Sequence, residues 1–565
     1  MEHPSLGAML RTNCQRFADR IAMLNPAKEG FEEIRYRDLG ERVRRYAAVV
    51  DTLGLAKGDR LVILSENCME WALVDWACQT LGIIVVPIYP TLPADQAQYI
   101  VKDCGATAVV AGDAGQAKKV DGMAGVRVER LTGEGSMTER ALAAYPMDET
   151  EWGKRIEAVQ PDDVATIIYT SGTTGLPKGA MLAHRGFLTL FAVIPVQLPV
   201  DENDRFLCFL PMSHVFERTD GQYLPVSFGG SIAFSKSLMT LANDMVRTQP
   251  TVMLVVPRFL ESMMDKILDG VKKQPPIRQK LFQLGLEQGK KKFHGGFAPL
   301  FWLTDKLVGS KIRDRVGGKL RFFAAGGAAL PAHVAEFYGA FGLKVLQGYG
   351  LTETYSGVCV NHPDRNRYDT VGEVFPGVEI KIAEDGEILF KGAARMIGYW
   401  NLPKETAEAI DGEGWFHTGD IGEMDGTYLK ITDRKKDLLV LGNGKNVAPQ
   451  PIENKLRSSH FIQEAVVLGD GMDYCVALIV PNAEFAKERL GVKDLGKMSE
   501  NAELKALIKS EIDAINKTMA NFEMVKKHAI LDEPFTIESG VLTPTLKVKR
   551  KVVKERFADL IQSMR

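Results

Sequence analysis

Apolar residues recur along this chain with two different rhythms. Near the start, Leu6, Met9, Leu10, Cys14 and Phe17 return every three or four positions, which is the spacing of one helical face. Further on come short apolar runs without alternation: Arg60–Leu64, Gly82–Tyr89 (GIIVVPIY), Thr107–Ala111 and Val164–Tyr169 (VATIIY). Such runs predict strands covered on both faces. Asn67–Leu81 and the stretch before Thr107 read as the helices between them. Strands alternating with helices predict βαβ units around a buried parallel sheet. Towards the end the pattern restarts, with strands over Ala465–Leu468 and Cys475–Val480 and a helix over Ala502–Met519. A charged run, Asp433-Arg-Lys-Lys-Asp437, lies between the strand-like Tyr428–Ile431 and the apolar Leu438–Leu441, and marks a domain boundary. The expected fold is therefore α/β. It has a large N-terminal domain of βαβ-type sheets and helices, residues 1–435, and a small C-terminal α+β domain, residues 436–565.

Length agrees with this division, because 565 residues exceed the roughly 250–300 that one hydrophobic core serves. The net charge of −2 gives no basis for a nucleic-acid partner. The charge is uneven, however. Residues 258–321 hold 15 Lys/Arg and 6 Asp/Glu, including Lys272-Lys273 and Lys290-Lys291-Lys292. Two readings stand: a solvated helical insertion, or a patch that meets anionic lipid or guides an anionic substrate. The longest apolar stretch, Trp71–Ile88, is broken by Asp75 and Gln79 and is too polar to span a bilayer. Membrane contact is expected to be peripheral. MEHPSLGAML carries Glu2 and no basic residues ahead of an apolar core, so no secretory signal is expected. The seven cysteines are widely spaced, odd in number and without a CxxC pair. Reduced, buried thiols in a cytoplasmic protein are the expectation.

Four segments carry candidate chemistry. The first is Tyr169-Thr-Ser-Gly-Thr-Thr-Gly-Leu-Pro-Lys-Gly179. Its hydroxyls, its two glycines and the cation of Lys178 suit the phosphates of a nucleotide. It is not a Walker A loop, which needs Gly before the Lys and Ser/Thr after it, whereas Pro177 and Gly179 stand there. The second is Gln347-Gly-Tyr-Gly-Leu-Thr-Glu353. Tyr349 offers a face for a base, Thr352 a hydroxyl and Glu353 a hard oxygen for Mg²⁺. The third pairs Asp420, in Trp415-Phe-His-Thr-Gly-Asp420, with Arg434; a carboxylate can accept from both hydroxyls of a ribose. The fourth, Gly540-Val-Leu-Thr-Pro-Thr-Leu-Lys547-Val-Lys-Arg550, is by composition only a basic tail.

Through these motifs, in this order, nearly the whole chain resembles the adenylate-forming superfamily of acyl-CoA synthetases, peptide-synthetase adenylation domains and beetle luciferases. The resemblance implies that Thr170, Ser171, Gly172, Thr173, Thr174, Gly175 and Lys178 hold the phosphates of ATP. It places Tyr349 and Gly350, with the backbone of Gly326 and Gly327, around the adenine. It assigns Thr352 to the α-phosphate, Glu353 and Thr174 to Mg²⁺, and Asp420 and Arg434 to the ribose. Lys436 becomes the hinge of a mobile C-terminal domain. Lys547 becomes the catalytic cation between the acid and the α-phosphate, where a charge would relieve the repulsion of two anions. Gly444, in Leu441-Gly-Asn-Gly-Lys-Asn446, would border the channel for coenzyme A. Leu210-Pro-Met-Ser-His-Val-Phe-Glu-Arg218 resembles the acyl-site segment of the long-chain branch, with His214 gating the carboxylate end. Val256-Pro-Arg-Phe-Leu-Glu261 and the basic stretch after it point to the same branch. Leu546 departs from the glycine often found before the catalytic lysine. The implied activity is ATP-dependent ligation of a long-chain fatty acid to coenzyme A, and a homodimer is the implied assembly. The rivals are a ligase loading a carrier protein and a homologue that binds nucleotide or lipid without catalysis.

Overall fold

The computed structural model describes residues 2–170, 176–490, 495–536, 539–542 and 548–565. They form two compact units. The first holds Met1–Ile380, Leu389–His417 and Thr427–Leu429; the second holds Lys381–Ile388, Thr418–Gly426 and Lys430–Arg565. The second unit thus takes residues on both sides of the charged run Asp433–Asp437.

In the first unit one sheet runs in the order Gly398–Tyr399, Lys178–Ala183, Val164–Thr170, Ile84–Ile88, Arg60–Leu64, Ala108–Ala111, Arg127–Arg130. From Val164–Thr170 onward its neighbours are parallel. Strands of this kind are covered on both faces, and Ile84–Ile88 and Ala108–Ala111 are buried at every position, as their unbroken apolar runs require. Helix Met69–Leu81 is buried on almost every side, Asp75 and Gln79 included. Its polar residues are tolerated because Asp75 meets the guanidinium of Arg218 at 3.0 Å.

A second sheet places Lys344–Tyr349, Phe322–Ala325, Val252–Val255, Arg205–Cys208, Ser231–Phe234 and Ile21–Pro26 side by side, all parallel. The basic stretch covers part of it. Pro257–Lys272 and Pro276–Phe293 are helices, each opened by a proline in the first turn, where no N–H is missed. Leu260, Met264, Ile267, Phe282, Val308 and Ile312 share one core with Phe323, Phe337 and Phe341. A Cβ at Gly289 would lie 2.1 Å from the Ala340 carbonyl, so this glycine lets the helix press against Ala332–Ala340. The stretch is helical, as the solvated-insertion reading has it, but its inner face belongs to the core.

In the second unit the strand Cys475–Pro481 lies between Ile462–Leu468, antiparallel, and Val525–Ile530, parallel. Cys475, Ala477 and Ile479 face one core with helices Pro449–Arg457 and Ala502–Asn516, while Val476, Leu478 and Val480 face another with Val553 and Met564. That is the two-residue period of a strand with both sides covered. The helix stops at Asn516, short of Met519, because the Asn516 amide donates to the Val525 carbonyl and accepts from the Val525 N–H. All seven cysteines are unpaired thiols, and six are buried.

Candidate active site

Four parallel neighbours of the second sheet end in four of the segments singled out above. Arg205–Cys208 leads to the His214 segment, Val252–Val255 to Val256-Pro257, Phe322–Ala325 to Gly326-Gly327, and Lys344–Tyr349 to Gly350–Glu353. The carboxyl ends of parallel strands are where open α/β sheets bind ligands. Here the segments touch. A Cβ at Gly326 would lie 3.3 Å from the Phe216 ring, and one at Gly327, where φ is +82°, 3.8 Å from Val256. The His214 Nδ1 accepts from the Phe216 N–H at 3.1 Å, so the proton of the neutral ring sits on Nε2.

Gly350 cannot be another residue: a Cβ would fall 2.0 Å from the Ser356 carbonyl. The chain doubles back there through the short 3₁₀ turn Thr352–Thr354, then through Tyr355 and Ser356 at φ +64° and +130°. Non-glycine residues in that region store strain and persist only when held. The holders are visible. The Tyr355 hydroxyl accepts from the Ala183 N–H at 2.6 Å, and its ring packs edge-on to Phe187 at 4.8 Å. The Ser356 hydroxyl donates to Asp220 at 3.1 Å.

The hairpin Val164–Thr170/Lys178–Ala183 closes with Thr170 opposite Lys178. Ser171, Gly172, Thr173, Thr174 and Gly175 lie outside the described residues. The Lys178 ammonium stands 5.3 Å from the Tyr399 ring centroid, and the Tyr399 hydroxyl donates to Glu353 at 2.8 Å. Burial, with Glu353 adding to it, holds that phenol protonated. Lys178 and Glu353, 175 positions apart in sequence, are thus brought together over one aromatic ring. Tyr399 lacked any sequence signal: Gly398-Tyr399-Trp400 is an ordinary aromatic pair. Among the described residues no group of three or more His, Cys, Asp or Glu stands ready for a metal. A lone carboxylate such as Glu353 still fits Mg²⁺ that arrives on phosphates, since that ion commonly takes one or two protein oxygens.

After His214 the chain makes a π-helical turn, Glu217–Tyr223, a form that concentrates at functional sites. Glu217 and Asp220 are both enclosed, and burial pushes their carboxyl groups up to about 8 and about 7. Sequence reasoning passed over both. Glu217 stood in the quoted segment, but nothing in the sequence marks a carboxyl that folding will bury.

In the second unit Asp420 is buried on Phe416–Asp425, and Arg434 closes Tyr428–Arg434 with its Nε 3.1 Å from the Asp420 carboxylate. The two form one charged pair. Before Lys436, Lys435 binds Asp385 at 2.5 Å and Glu387 at 3.0 Å. After it, Asp437 and Leu438 donate back to the Arg434 carbonyl at 2.9 and 3.1 Å. Gly444 has φ +79° in the tight turn between Leu439–Val440 and Asn446–Val447. Lys547 lies outside the described residues. Arg550, three residues on, binds Glu453 at 2.8 Å and approaches Asp437 at 3.9 Å, so the segment after Lys547 is anchored to the residues after Lys436.

Residues 10–400 match the AMP-binding enzyme family, and residues 436–565 match the AMP-binding enzyme C-terminal domain. The chain belongs to the AMP-binding enzymes. Among relatives in this family, the long-chain-fatty-acid–CoA ligase FadD15 of Mycobacterium bovis is 32% identical over all of this chain and 97% of its own length. Long chain acyl-CoA synthetase 6, peroxisomal, of Arabidopsis thaliana is 32% identical over 90% of this chain and 78% of its own. Solved structures share the fold. ATP-bound MatB from Rhodopseudomonas palustris superposes with a TM-score of 0.75 at 24% identity, covering 98% of this chain and 99% of that one. MenE of Bacillus subtilis with its acyl-adenylate gives 0.75 at 22% identity, covering 98% of each chain.

Proposed function

We propose that this protein is an ATP-dependent long-chain fatty acid:CoA ligase, converting acid, ATP and coenzyme A into acyl-CoA, AMP and pyrophosphate through an acyl-adenylate. One observation carries the reading: relatives that match over nine-tenths or more of this chain at 32% identity are themselves long-chain ligases. Within it, a carboxylate oxygen of the acid attacks the α-phosphorus of ATP and pyrophosphate leaves. The coenzyme A sulfur then attacks the acyl carbonyl and AMP leaves.

Each residue takes a role that its chemistry supports. Lys178 and Thr170, with Ser171, Gly172, Thr173, Thr174 and Gly175, face the phosphates. Gly326, Gly327, Tyr349 and Gly350 surround the base, Thr352 donates to the α-phosphate, and Asp420 and Arg434 hold the ribose. His214 lies at the carboxylate end of the acyl site. Magnesium, when bound, would neutralise charge on the leaving pyrophosphate, with Glu353 and Thr174 as its holders. Lys547 offsets the repulsion of the two reacting anions. Lys436 turns the domain 436–565 between the two half-reactions, and Gly444 then borders the coenzyme A channel. A cytoplasmic location, a homodimer and peripheral contact with a membrane complete the proposal.

The test is formation of AMP and acyl-CoA with Mg·ATP and coenzyme A across acids from acetate to oleate. A maximum at long chains is expected. AMP formation only when a carrier protein is supplied would move the assignment to carrier loading. Lys547→Ala should abolish adenylate formation while leaving thiolation of supplied acyl-AMP nearly intact; equal loss of both halves would remove Lys547 from its assigned role.

A further inference from the structure

Phe301–Thr304, Asp305–Gly309 and Ser310–Arg315 follow one another without a break, as one helical run in the first unit. Its inner face is ordinary: Thr304, Val308, Ile312 and Val316 are buried. Its outer face is not. Trp302 is 70% exposed, and Leu303 and Leu307 are 40% exposed each. Lys306, beside Leu307, and Lys311, four residues after it, are exposed too. The loop before it adds Phe297, 86% exposed, and it is tied in place where the Leu300 N–H donates to the buried Gln288. Scattered exposed apolar residues need no explanation, but an apolar stripe on the water side of a helix does. The stripe is not starved of core to join, because the opposite face of the same run is already packed.

We propose that the face formed by Trp302, Leu303 and Leu307 docks on an anionic lipid bilayer, with Lys306 and Lys311 on the lipid phosphates. Helices that lie in a bilayer interface combine an aromatic and aliphatic face with flanking lysines, the indole resting at headgroup depth and the lysine stems reaching outward. Charge selects the occupant. Residues 258–321 carry nine more cations than anions, so two copies meeting through this face would press like charge against like, whereas an anionic bilayer complements it. Lys290 and Lys291 are engaged by Glu336 and Glu287, so the docking charge falls to the lysines beside the apolar residues rather than to the lysine run visible in the sequence. The inference deepens the membrane contact proposed above. Its use to the enzyme rests on the fatty-acid reading, because a long acyl chain dissolves in bilayers, but the docking itself is measured without turnover.

The experiment is sedimentation of the full chain with phosphatidylglycerol/phosphatidylcholine vesicles and with phosphatidylcholine vesicles alone. Binding is expected to the anionic vesicles only and to weaken with salt. Trp302→Ser with Leu307→Ser should lower partitioning by about ten-fold or more, and Lys306→Glu with Lys311→Glu should abolish the preference for anionic lipid. All four side chains are exposed, so folding is checked by unchanged turnover of a short, freely dissolved acid; should that acid not be a substrate, an unchanged unfolding midpoint serves. Quenching of Trp302 fluorescence by brominated lipid, lost in Trp302→Phe, would place this residue in the interface. Equal binding of wild type and the Trp302/Leu307 variant, or no binding by wild type, would overturn the docking face while leaving the ligase reading intact. A dimer abolished by the same substitutions would overturn it in favour of a second copy as the occupant.

Discussion

The π-helical turn Glu217–Tyr223 buries ionisable groups on two sides and treats them oppositely. Towards helix Met69–Leu81, Arg218 meets Asp75, which also accepts from Gln222 at 3.0 Å and from Tyr223 at 2.6 Å. Burial works against the Arg218 charge, but Asp75 more than offsets it and the guanidinium stays charged. Glu217 and Asp220 are equally enclosed and, among the described residues, no cation offsets their burial, so their carboxyl groups are driven up to about 8 and about 7. Within one turn of chain, the presence or absence of a counter-ion decides whether a buried group keeps its charge. The paired side braces the scaffold. The unpaired side reaches the strained turn that carries Thr352 and Glu353.

The sharpest way to break the comparison is to remove the counter-ion. Arg218→Met leaves Asp75 buried opposite no charge and should cost about 3–5 kcal/mol, read as a lower urea midpoint. Adding Asp75→Leu should recover much of the loss, since both charges are then gone. A single variant as stable as wild type would mean that the pair does not brace the turn.

The unpaired side responds to pH instead. The folded-state pKa of Glu217 is raised above its ordinary 4.5 to about 8. The folded protein therefore holds this proton more tightly than the unfolded chain does. The stabilisation is fully present below about pH 4.5 and is lost as pH rises through about 8. Glu217→Gln, which is never charged, should remove a part of the pH dependence on the order of 3 kcal/mol between pH 5 and 8. The variant should be the more stable protein at pH 8, in thermal unfolding followed across that range. Parallel curves for variant and wild type would show that Glu217 does not carry the difference.

Asp220 should affect the chemistry more than the fold. Through Ser356 it fixes the turn bearing Thr352 and Glu353, and a small displacement of positioned groups can cost up to about a hundred-fold in rate. Asp220→Ala should lower acid-dependent pyrophosphate exchange by about 10–100-fold and raise the Mg²⁺ requirement, with thiolation of supplied acyl-AMP little changed. Asp220→Asn keeps an oxygen for the Ser356 hydroxyl and should recover most of the rate. Equal loss in both variants would separate Asp220 from the turn.

These contacts also mark where sequence reasoning stops. Arg60–Leu64 and Val164–Tyr169 were legible as buried strands because their burial is written into unbroken apolar runs. Gly350 stood in a motif that the sequence already marked, and the 2.0 Å approach of the Ser356 carbonyl gives it a steric reason. Tyr399 and Asp220 were not legible, since Tyr399 meets Glu353 across 46 positions and Asp220 meets Ser356 across 136. The basic stretch was legible as helical, but its charge concealed that Phe282 and Ile312 belong to the core and that Trp302 does not.

The smallest effect expected is at Ser356, and it is the most discriminating. Its φ of +130° suits glycine and no other residue. What serine adds there is its hydroxyl, 3.1 Å from Asp220. Ser356→Ala keeps the strain and loses the bond, and should destabilise by about 1 kcal/mol. Ser356→Gly loses the same bond but relieves strain of about 1 kcal/mol, so its unfolding midpoint should stay near that of wild type. Both should slow adenylation several-fold, because both release the turn from Asp220, and neither should add to the loss in Asp220→Ala. Stability and activity then separate: the alanine is worse on both measures and the glycine on activity alone. Full adenylation activity in Ser356→Gly would mean that the turn holds its shape without the buried acid, and the contrast between the two sides of the π-helix would then concern folding only.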